Sequence, residues 1–510
     1  MNNFSFDLKN ILTENYCRKN FIAPYREEGD LVVFYSLHIN DEILKYNLSE
    51  KLGRKISFEE ASIEKINLIL DEIYNSNGRD YLLEDINKEY EDLIILEDED
   101  KEDSPAVRAL DYILRESIAE NASDIHIEPR NDNIVVRIRI DGALNKLIDL
   151  PKKIYPHLIT RIKILSQLDI SEKRLPQDGR LSFDFKGDKI DIRVATTPTG
   201  SGEKIVLRIL DIQRISYTPE GIGLVGENYD KVMKLISQPS GLILICGPTS
   251  SGKTSSLYTL LRKIQDDDIN IMTIEDPIEY KIDGINQIEV NPNTGLSFEK
   301  GLKAILRMDP DKIMIGEIRN EDTAHIAISS SITGHLVLST LHTESSPASI
   351  GRLIDMGIEP YLISAGLIGV ISQRLIRRLC PHCKEKIKNT NPLLKSEFVY
   401  KARGCHKCNQ GYSGRMAVFE IMIVDSEIRE MISRRESVKN IKNLAIEKGM
   451  KTLSSEILNL IAGGETTFDE YYKNIHTVGE LWFTSTRPLG AGKKLREILR
   501  LTTWKKPRRN

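Results

Sequence analysis

Short apolar runs recur along the middle of the chain, and segments with helical character separate them. The runs are Leu242–Cys246, Ile269–Ile274, Lys312–Ile315 and Leu336–Leu341. Continuous apolar strands of this length are typical of a parallel sheet that helices cover on both faces. The pattern therefore predicts an α/β domain with a doubly covered parallel sheet over residues 217–378.

A different pattern precedes this domain, because residues 104–216 combine helical stretches with strands of alternating polar and apolar positions. The predicted elements are a helix at Pro105–Asn121, a strand at Ile134–Asp141, a helix at Ile154–Leu168, and strands at Ile190–Ala195 and Lys204–Leu210. Elements in this order predict an α+β domain. The Pro and Gly residues within Tyr217–Gly226 mark its boundary with the next domain.

The two ends of the chain carry weaker patterns. Residues 1–83 mix helical periodicity at Ile56–Asn75 with a β-like run at Asp30–Ser36, and we predict a separate domain there. Residues 84–103 are heavily acidic, which favours a solvated linker over an acidic interaction surface. We predict a helical subdomain over residues 416–475.

Residues 476–510 form a basic tail of unknown role. A basic appendage of this kind can touch anionic lipid or nucleic acid. The alternatives are a disordered tail and a read-through segment with no selected role.

One stretch, Leu362–Ile376, approaches the apolar length of a membrane span. Polar residues at 364, 372, 373 and 374 interrupt it, so the pattern predicts a buried helix instead. The N-terminus has neither the basic start nor the apolar core of a signal peptide. We therefore expect a cytoplasmic protein that docks on a membrane through its partners.

Composition describes an ordinary globular protein. The chain has 510 residues, of which 40% are hydrophobic and 29% are charged, and this length predicts several domains. A net charge of −4 and a pI near 6.2 give no overall attraction to nucleic acid.

The first segment that carries chemistry is Gly247–Thr254, which has the form G-x-x-x-x-G-K-[ST]. It lies between an apolar run and a helical stretch, which is the context that a nucleotide-binding loop requires. Its glycines permit a tight turn in which backbone N–H groups point at an anion beside a helix N-terminus. The candidate binding residues are Gly247, Pro248, Thr249, Ser250, Ser251, Gly252, Lys253, Thr254 and Ser255.

Two side chains of this loop have predicted roles. We expect Lys253 to reach the β- and γ-phosphates of a nucleoside triphosphate, and the Thr254 hydroxyl to bind Mg²⁺. The alternative is a glycine-rich turn between a strand and a helix that binds no ligand.

Four of the six cysteines form two pairs, Cys380-x2-Cys383 and Cys405-x2-Cys408, with 21 residues between the pairs. Two such pairs can place four thiolates tetrahedrally around Zn²⁺. We therefore predict a structural zinc module over residues 379–415. Residues 382 and 406 are histidines and possible substitute ligands, and free reactive thiols are the alternative.

Acids and a histidine follow three of the predicted strands. Glu275 and Asp276 follow the strand at Ile269–Ile274, and Glu317 follows the strand at Lys312–Ile315. We expect the first two to order Mg²⁺ and water near a γ-phosphate, and Glu317 to polarise the attacking water. The alternative for each acid, taken alone, is a helix cap or a surface charge.

His342 follows the strand at Leu336–Leu341, and His335 precedes the same strand. The alternative to a functional role is a structural histidine whose ring is hydrogen-bonded in the core. This alternative is stronger for His335 than for His342.

Residues 247–254, 274–280, 306–319 and 333–343 resemble, in this order, the Walker A, Asp, Walker B and His boxes of secretion ATPases. These are the ATPases of type II secretion, type IV pilus assembly and competence systems. The resemblance covers about residues 105–475. It implies a RecA-like P-loop ATPase domain preceded by a PAS-like domain, a hexamer, ATP as substrate, and His342 as a sensor of the γ-phosphate. It includes the tetracysteine module, which retraction ATPases generally lack.

The resemblance also implies arginines supplied by a neighbouring subunit. Arg193 and Arg208 match these positions, on adjacent predicted strands. An arginine delivered in trans accelerates phosphoryl transfer by about 10³–10⁵, so we expect turnover to depend on assembly. The alternative is that both arginines pair with neighbouring acids on a solvated face.

The implied function is a homohexameric motor that hydrolyses ATP to drive pseudopilus or pilus assembly, or protein secretion, at a bacterial inner membrane. Expected partners are an inner-membrane platform protein and a membrane-anchored docking protein that binds residues 1–83, without nucleic acid. Two alternatives stay open, a nucleic-acid translocase with a RecA-like core and a non-catalytic nucleotide-gated scaffold. The acidic chain disfavours the first, and Glu317 with the two arginines disfavours the second.

Overall fold

The computed structural model describes residues 12, 17, 20–28, 31–39, 41–70, 104–210, 217–405 and 407–475. Contacts divide the chain into two compact units, residues 1–212 and residues 213–510. The acidic segment 84–103, the tail 476–510 and residue 406 lie outside the described residues. The finer domain boundaries and the roles given to these segments stay predictions. No helix in the described part of the chain is long and apolar enough to cross a bilayer.

The first unit begins with a three-stranded sheet. Its elements are β1 (Ile22–Glu28), β2 (Leu31–Ser36), α1 (Glu42–Leu52), β3 (Lys55–Glu60) and α2 (Ile63–Leu70). Strand β2 pairs antiparallel with β1 and parallel with β3. The prediction of a helix from Ile56 was wrong for this strand. Ile56 and Phe58 alternate with polar residues and pack on the core around Phe34. This alternation is typical of a strand, but it is short and lies at the start of the longer range that was predicted as helical.

Residues 104–210 of this unit contain a six-stranded antiparallel sheet, in the order β6-β5-β4-β9-β8-β7. Its elements are α3 (Pro105–Ala119), β4 (Asp124–Pro129), β5 (Asn133–Ile140), β6 (Ala143–Pro151), a 3₁₀ turn (Lys152–Ile154), α4 (Tyr155–Leu165), β7 (Gln177–Phe185), β8 (Asp188–Thr199) and β9 (Gly202–Leu210). Alternate strand residues, such as Ile125 and Ile127, share one core with Ile113 of α3 and Leu158 of α4. The opposite face carries the polar residues of the same strands, which confirms the α+β prediction.

The second unit contains a seven-stranded sheet in the order β12-β11-β13-β14-β10-β15-β18. The strands of this unit are β10 (Gly241–Cys246), β11 (Ile271–Glu275), β12 (Asn286–Glu289), β13 (Lys312–Ile315), β14 (Leu336–Leu341), β15 (Leu367–Leu379), β16 (Glu385–Lys388), β17 (Phe398–Lys401) and β18 (Tyr412–Ile423). Every pairing in the large sheet is parallel except that of β15 with β18.

Helices cover both faces of this sheet. They are α5 (Gly226–Ile236), α6 (Lys253–Ile264), α7 (Phe298–Ile305), α8 (Glu321–Ile332), α9 (Ala348–Asp355), α10 (Pro360–Gly366), α11 (Ser426–Ser433), α12 (Val438–Glu447), α13 (Leu453–Ala462) and α14 (Phe468–Asn474). Leu242 and Leu244 of β10 pack in one core with α8 and α9, whereas Ile243 and Ile245 pack in a second core with α5 and α6. Burial on both faces explains why the strands read as continuous apolar runs, and confirms the predicted α/β fold.

The prediction of a buried helix over Leu362–Ile376 was wrong for most of its length. Helix α10 ends at Gly366, and β15 follows directly. Strand β15 is buried because β10 lies on one side of it and β18 on the other. Backbone hydrogen bonds to β10 and β18 hold this segment as a strand. Its apolar residues alone do not distinguish a buried strand from a buried helix.

The residues between β15 and β18 form a separate small module. It contains the two-stranded sheet of β16 and β17, and Leu379 at its start lies directly opposite Tyr412 at its end. Val399 of this module packs in a core with Ile457 and Ile461 of α13. Helices α13 and α14 therefore support the module and the ends of β15 and β18.

Candidate nucleotide site and tetracysteine cluster

The G-x-x-x-x-G-K-T segment connects β10 to α6 through a strained turn. Gly247 has φ +155° and Gly252 has φ +87°, and Ser250 between them also has a positive φ of 63°. A Cβ on Gly247 would lie 2.5 Å from the carbonyl oxygen of Gln373 on β15. The turn therefore requires glycine at this position for both its backbone conformation and its close approach to a neighbouring strand.

The side chains of this turn differ in exposure. Pro248, Thr249, Ser250 and Thr254 are exposed, and Ser255 is half-buried. The Ser251 hydroxyl is buried and has no hydrogen-bond partner among the described residues. This arrangement leaves hydroxyl groups that a phosphate or a hydrated cation can use.

Lys253, the first residue of α6, is buried, with 9% of its surface exposed. Its Nζ donates to the carbonyl oxygens of Gly247, at 2.9 Å, and Pro248, at 3.0 Å. Burial lowers the pKa of Lys253, and the nearby carboxylate of Glu317 opposes this shift. The ammonium group is thus curled over the turn, in a position where an anion would stabilise its charge.

The carboxyl ends of β10, β11, β13 and β14 lie along one edge of the sheet, because these strands are parallel. This edge brings Asp276, Glu317 and His342 together. The Nε2 atom of His342 lies 3.4 Å from Glu317 Oε2. The backbone N–H of Gly247 donates to the carbonyl of Leu341, the residue before His342, so the predicted acid and histidine lie beside the glycine-rich turn.

Arg319 is a member of this group to which the sequence assigned no role. Its guanidinium donates to Asp276 Oδ2 at 3.3 Å and forms an ion pair with Glu317. These contacts raise the pKa of Arg319. The signal was its position two residues after the predicted catalytic acid, but spacing alone does not distinguish it from a surface arginine.

Glu275 has different surroundings, although it is the neighbour of Asp276. Its carboxylate is buried and accepts hydrogen bonds from the hydroxyl of Thr273, at 2.6 Å, the amide of Gln287, at 3.1 Å, and the hydroxyl of Tyr258. Burial raises the pKa of Glu275. The structure thus places the Glu275 oxygen atoms among donors of α6, β11 and β12.

The two histidines of the last box lie at opposite ends of β14. His342 follows the strand and its side chain is half exposed. His335 precedes the strand, and its Nδ1 lies 3.1 Å from the carbonyl oxygen of Ser330 near the end of α8. His335 is therefore at the sheet edge opposite to the glycine-rich turn.

Arg193 and Arg208 belong to the first unit and lie directly opposite each other on β8 and β9. The Nε of Arg208 donates to Asp124 Oδ1 at 3.0 Å. Arg208 therefore has an acidic partner within its own chain, which was the alternative to a role in trans, and its side chain stays more than half exposed.

The four cysteines of the two pairs converge. Their Sγ atoms all lie within 4.8 Å of one another. The distances are 3.9 Å for Cys380 and Cys405, 3.6 Å for Cys383 and Cys408, and 3.6 Å for Cys405 and Cys408. A disulfide needs about 2.05 Å, whereas tetrahedral Zn–S bonds of about 2.3 Å separate two sulfurs by about 3.8 Å. Four sulfur donors at this spacing fit a zinc ion.

Comparisons with known proteins agree with this geometry. A family model described as "Type II/IV secretion system protein" matches residues 99–473. Type II secretion system protein HxcR of Pseudomonas aeruginosa is 43% identical over 392 residues, which is 77% of this chain and 81% of that protein. Type II secretion system ATPase E of Vibrio cholerae is 40% identical over 425 residues, which is 79% of this chain and 84% of that protein.

Type IV pilus assembly ATPase PilB of Thermus thermophilus is 40% identical over 481 residues, which is 90% of this chain but 54% of that protein. A crystal structure of the pilus retraction motor PilT with bound ADP is 26% identical, has a TM-score of 0.50, and covers 72% of this chain and 96% of that one. The ATPase DotB of Legionella pneumophila shares the fold, with a TM-score of 0.54, at 22% identity over 71% of this chain and 94% of that one. The extent of the family match and the identity to these relatives establish that the chain belongs to the type II/IV secretion system protein family.

Proposed function

We propose that this protein is a homohexameric motor that hydrolyses ATP to power pseudopilus or pilus assembly, or protein secretion, at the inner face of a bacterial inner membrane. The observation that carries the proposal is the sheet edge where the glycine-rich turn, Glu317, Arg319 and His342 meet. Two relatives, a type II secretion ATPase and a pilus assembly ATPase, support secretion or pilus assembly as the process that ATP hydrolysis drives.

The turn binds the triphosphate. Its backbone N–H groups and the N-terminus of α6 face the phosphate oxygens, and Lys253 exchanges its two carbonyl partners for the β- and γ-phosphates. Thr254, Glu275 and Asp276 are the residues proposed to hold Mg²⁺ and to order its water, and the ion would supply positive charge to the phosphate oxygens.

Hydrolysis needs a water activated in line with the γ-phosphorus. Glu317 accepts the proton as the water oxygen forms its bond to phosphorus, and the bond between the γ-phosphorus and the β-phosphate oxygen breaks. Arg319 holds one oxygen of Glu317 and Asp276, which keeps both carboxylates at the reacting edge. His342, in contact with the other oxygen of Glu317, detects the presence of the γ-phosphate.

Positive charge from a neighbouring subunit completes the site in this proposal. Arg193 and Arg208 lie side by side on one sheet face, and Arg208 leaves Asp124 to meet the phosphates of the adjoining protomer. Cys380, Cys383, Cys405 and Cys408 hold Zn²⁺ as a structural ion that fixes the module between β15 and β18. The proposed partners are a platform protein of the inner membrane and a membrane-anchored docking protein that binds residues 1–83.

The test of this function is Glu317→Gln in the full chain. The variant keeps the shape of the side chain but cannot accept a proton, so we expect ATP binding close to wild type and a fall in kcat of about 10²–10⁴. Glu299→Gln on α7 is the matched control, because it removes a partly exposed carboxylate whose partner is Lys303 of the same helix. Wild-type phosphate release by the Glu317 variant would contradict the proposed role.

A further inference from the structure

A buried polar cluster adjoins the candidate nucleotide site on the opposite side of the sheet from α6. We name it the Glu420 cluster, and it consists of Ser346, Ser372, Arg374, Glu420 and Leu453. Glu420 on β18 has only 2% of its surface exposed. One oxygen of its carboxylate accepts from the backbone N–H of Ser346 at 2.7 Å, and the other accepts from the N–H of Leu453 at 3.3 Å.

These two contacts join segments that are far apart in the chain. Ser346 lies four residues after His342, in the connection from β14 to α9, and Leu453 is the first residue of α13. The Ser346 hydroxyl strengthens the junction, because it donates to the Glu420 carbonyl at 2.7 Å and accepts from the Ser372 N–H at 3.1 Å. A single carboxylate therefore ties the segment after His342 to the N-terminus of a C-terminal helix.

Arg374 holds the same connection from a second direction. Its guanidinium is buried, with 6% of the residue exposed, and donates to the carbonyl of Glu344 at 2.7 Å and of Gln373 at 3.0 Å. Burial lowers the pKa of Arg374, and the negative charges of Glu420 and Glu344 oppose this shift. Arg374 and the Glu420 carboxylate thus hold the connection after His342 at two points, the carbonyl of Glu344 and the N–H of Ser346.

The neighbouring residue on β15 extends the cluster to the glycine-rich turn. The Gln373 side-chain oxygen accepts from the Ser256 hydroxyl of α6 at 2.7 Å. Its backbone carbonyl lies against Gly247. Three successive residues of β15 therefore connect these parts. Gln373 contacts α6, and Ser372 and Arg374 contact the connection that follows His342. The same strand pairs with β18, which bears Glu420.

We propose that Glu420 and Arg374 are positioning residues that hold the connection 343–346, and through it His342, in place beside the glycine-rich turn. The inference rests on the proposed role of His342 as a sensor of the γ-phosphate. In this proposal neither residue touches the nucleotide. The Glu420 carboxylate also accepts from the first residue of α13, so it joins this connection to a helix that packs on the tetracysteine module.

The experiment compares how well full-length variants distinguish a triphosphate from a diphosphate. Displacement of fluorescent N-methylanthraniloyl-ADP by ADP and by non-hydrolysable AMP-PNP gives the ratio of the two affinities. In Glu420→Gln, an amide N–H₂ faces a backbone N–H, so one of the two contacts is lost. We expect the AMP-PNP to ADP affinity ratio to fall about tenfold, while ADP affinity changes by less than about twofold.

The ratio separates positioning from a general loss of structure, because a smaller folded fraction weakens apparent binding of both nucleotides equally. Glu447→Gln, which removes an exposed carboxylate on α12, is the matched control and is expected to keep the wild-type ratio. Ser346→Ala is a milder second variant that removes only the hydroxyl contacts. If Glu420→Gln does not fold, the affinity ratio of Ser346→Ala tests whether the connection 343–346 positions His342.

His342→Ala is measured beside these variants. A wild-type ratio in His342→Ala would overturn the sensor role and the inference with it. A reduced ratio in His342→Ala with wild-type ratios in Glu420→Gln and Ser346→Ala would overturn the inference alone, and leave the proposed function in place.

Discussion

Two neighbouring carboxylates at the end of β11 have opposite surroundings. Glu275 is enclosed by three hydrogen-bond donors, whereas Asp276 is partly exposed and meets Arg319. Successive side chains of an extended segment point in different directions, so adjacent acids cannot share one environment. The two residues were given the same role from the sequence because spacing along the chain does not reveal this difference. The catalytic role of Glu275 stays a prediction.

The burial of Glu275 has a consequence for stability. Its pKa is raised above the ordinary value of 4.5, so the folded protein holds this proton to higher pH than the unfolded chain does. The contribution of Glu275 to the free energy of unfolding therefore falls as pH rises from about 4.5 through the raised pKa.

We expect Glu275→Gln to remove this decline, so that the stability of the variant relative to wild type increases with pH over that interval. Urea denaturation at a series of pH values measures the difference between the two proteins. Glu299→Gln serves as the partly exposed control. If the stability of Glu275→Gln relative to wild type stays constant or decreases as pH rises, the pKa of Glu275 is not raised by burial.

At the scale of elements, the end of β15 is anchored by two adjacent arginines with different partners. Arg377 pairs at 2.8 Å with Glu470 of α14, whose side chain is 2% exposed, and its guanidinium lies 3.8 Å from the centre of the Tyr412 ring. Arg378 pairs at 2.7 Å with Glu465, and more than half of its side chain is exposed. The two ion pairs allow the effect of burial to be measured within one strand.

We expect Glu470→Ala to destabilise the second unit by about 3–5 kcal/mol, because it leaves a largely buried guanidinium without its anion. Glu465→Ala is expected to cost at most about 1 kcal/mol, because water solvates the exposed arginine. The midpoint of urea denaturation of the full chain reports both. Equal effects of the two substitutions would contradict the assignment of Glu470 as the buried anchor.

The strand β15 also shows what the amino-acid pattern can decide. The runs at β10, β11, β13 and β14 are predicted as strands because each is short and apolar and helical segments separate them. The run that contains β15 is longer and begins within α10, and its apolar content is the same for a buried helix and a buried strand. The neighbouring strands on both sides determine the outcome, and that information is tertiary.

At the scale of the whole molecule, the proposed motor needs charge from a second protomer. We expect Arg208→Ala to keep ATP binding and to lower turnover by about 10³, because it removes a cation that meets the phosphates of the adjoining subunit. Phosphate release and nucleotide affinity are measured separately. Arg130→Ala, at an exposed position of the same unit, is the control.

A mixing experiment separates this role from the ion pair with Asp124 inside one chain. Arg208→Ala subunits retain their own glycine-rich turn, so they regain turnover when they assemble next to Glu317→Gln subunits that supply Arg208. Wild-type turnover by Arg208→Ala alone, or no recovery in mixed hexamers, would contradict a contribution in trans.

The tetracysteine cluster predicts a further property of the whole chain. We expect one zinc ion per chain, released by a thiol-modifying reagent and detected with a metal indicator, and a lower melting temperature after its removal. Cys405→Ser is expected to reproduce the loss of stability. A metal-free protein with an unchanged melting temperature would favour free thiols instead.

Local sequence was sufficient for the glycine-rich turn and the four cysteines, because short-range spacing defines their geometry. It was also sufficient for the strand-end positions of Asp276, Glu317 and His342, because parallel strands align their carboxyl ends. Arg319, Gln373 and Glu420 were missed. Their contacts join β15, β18 and the strand ends across long separations in the chain, and no spacing rule connects them.

The position of the tetracysteine module between two paired strands bears on how such a chain can change during evolution. Leu379 and Tyr412 are direct partners in the ladder of β15 and β18, so the module is an insertion at the tip of a hairpin. A short turn between these two positions would close the hairpin and leave the register of the seven-stranded sheet intact. The cost of such an excision falls on the contacts of the module with α13 and α14, such as the packing of Val399 against α13 and the hydrogen bond from Asn391 to Tyr472. Gain or loss of the whole tetracysteine module is thus topologically a single local event.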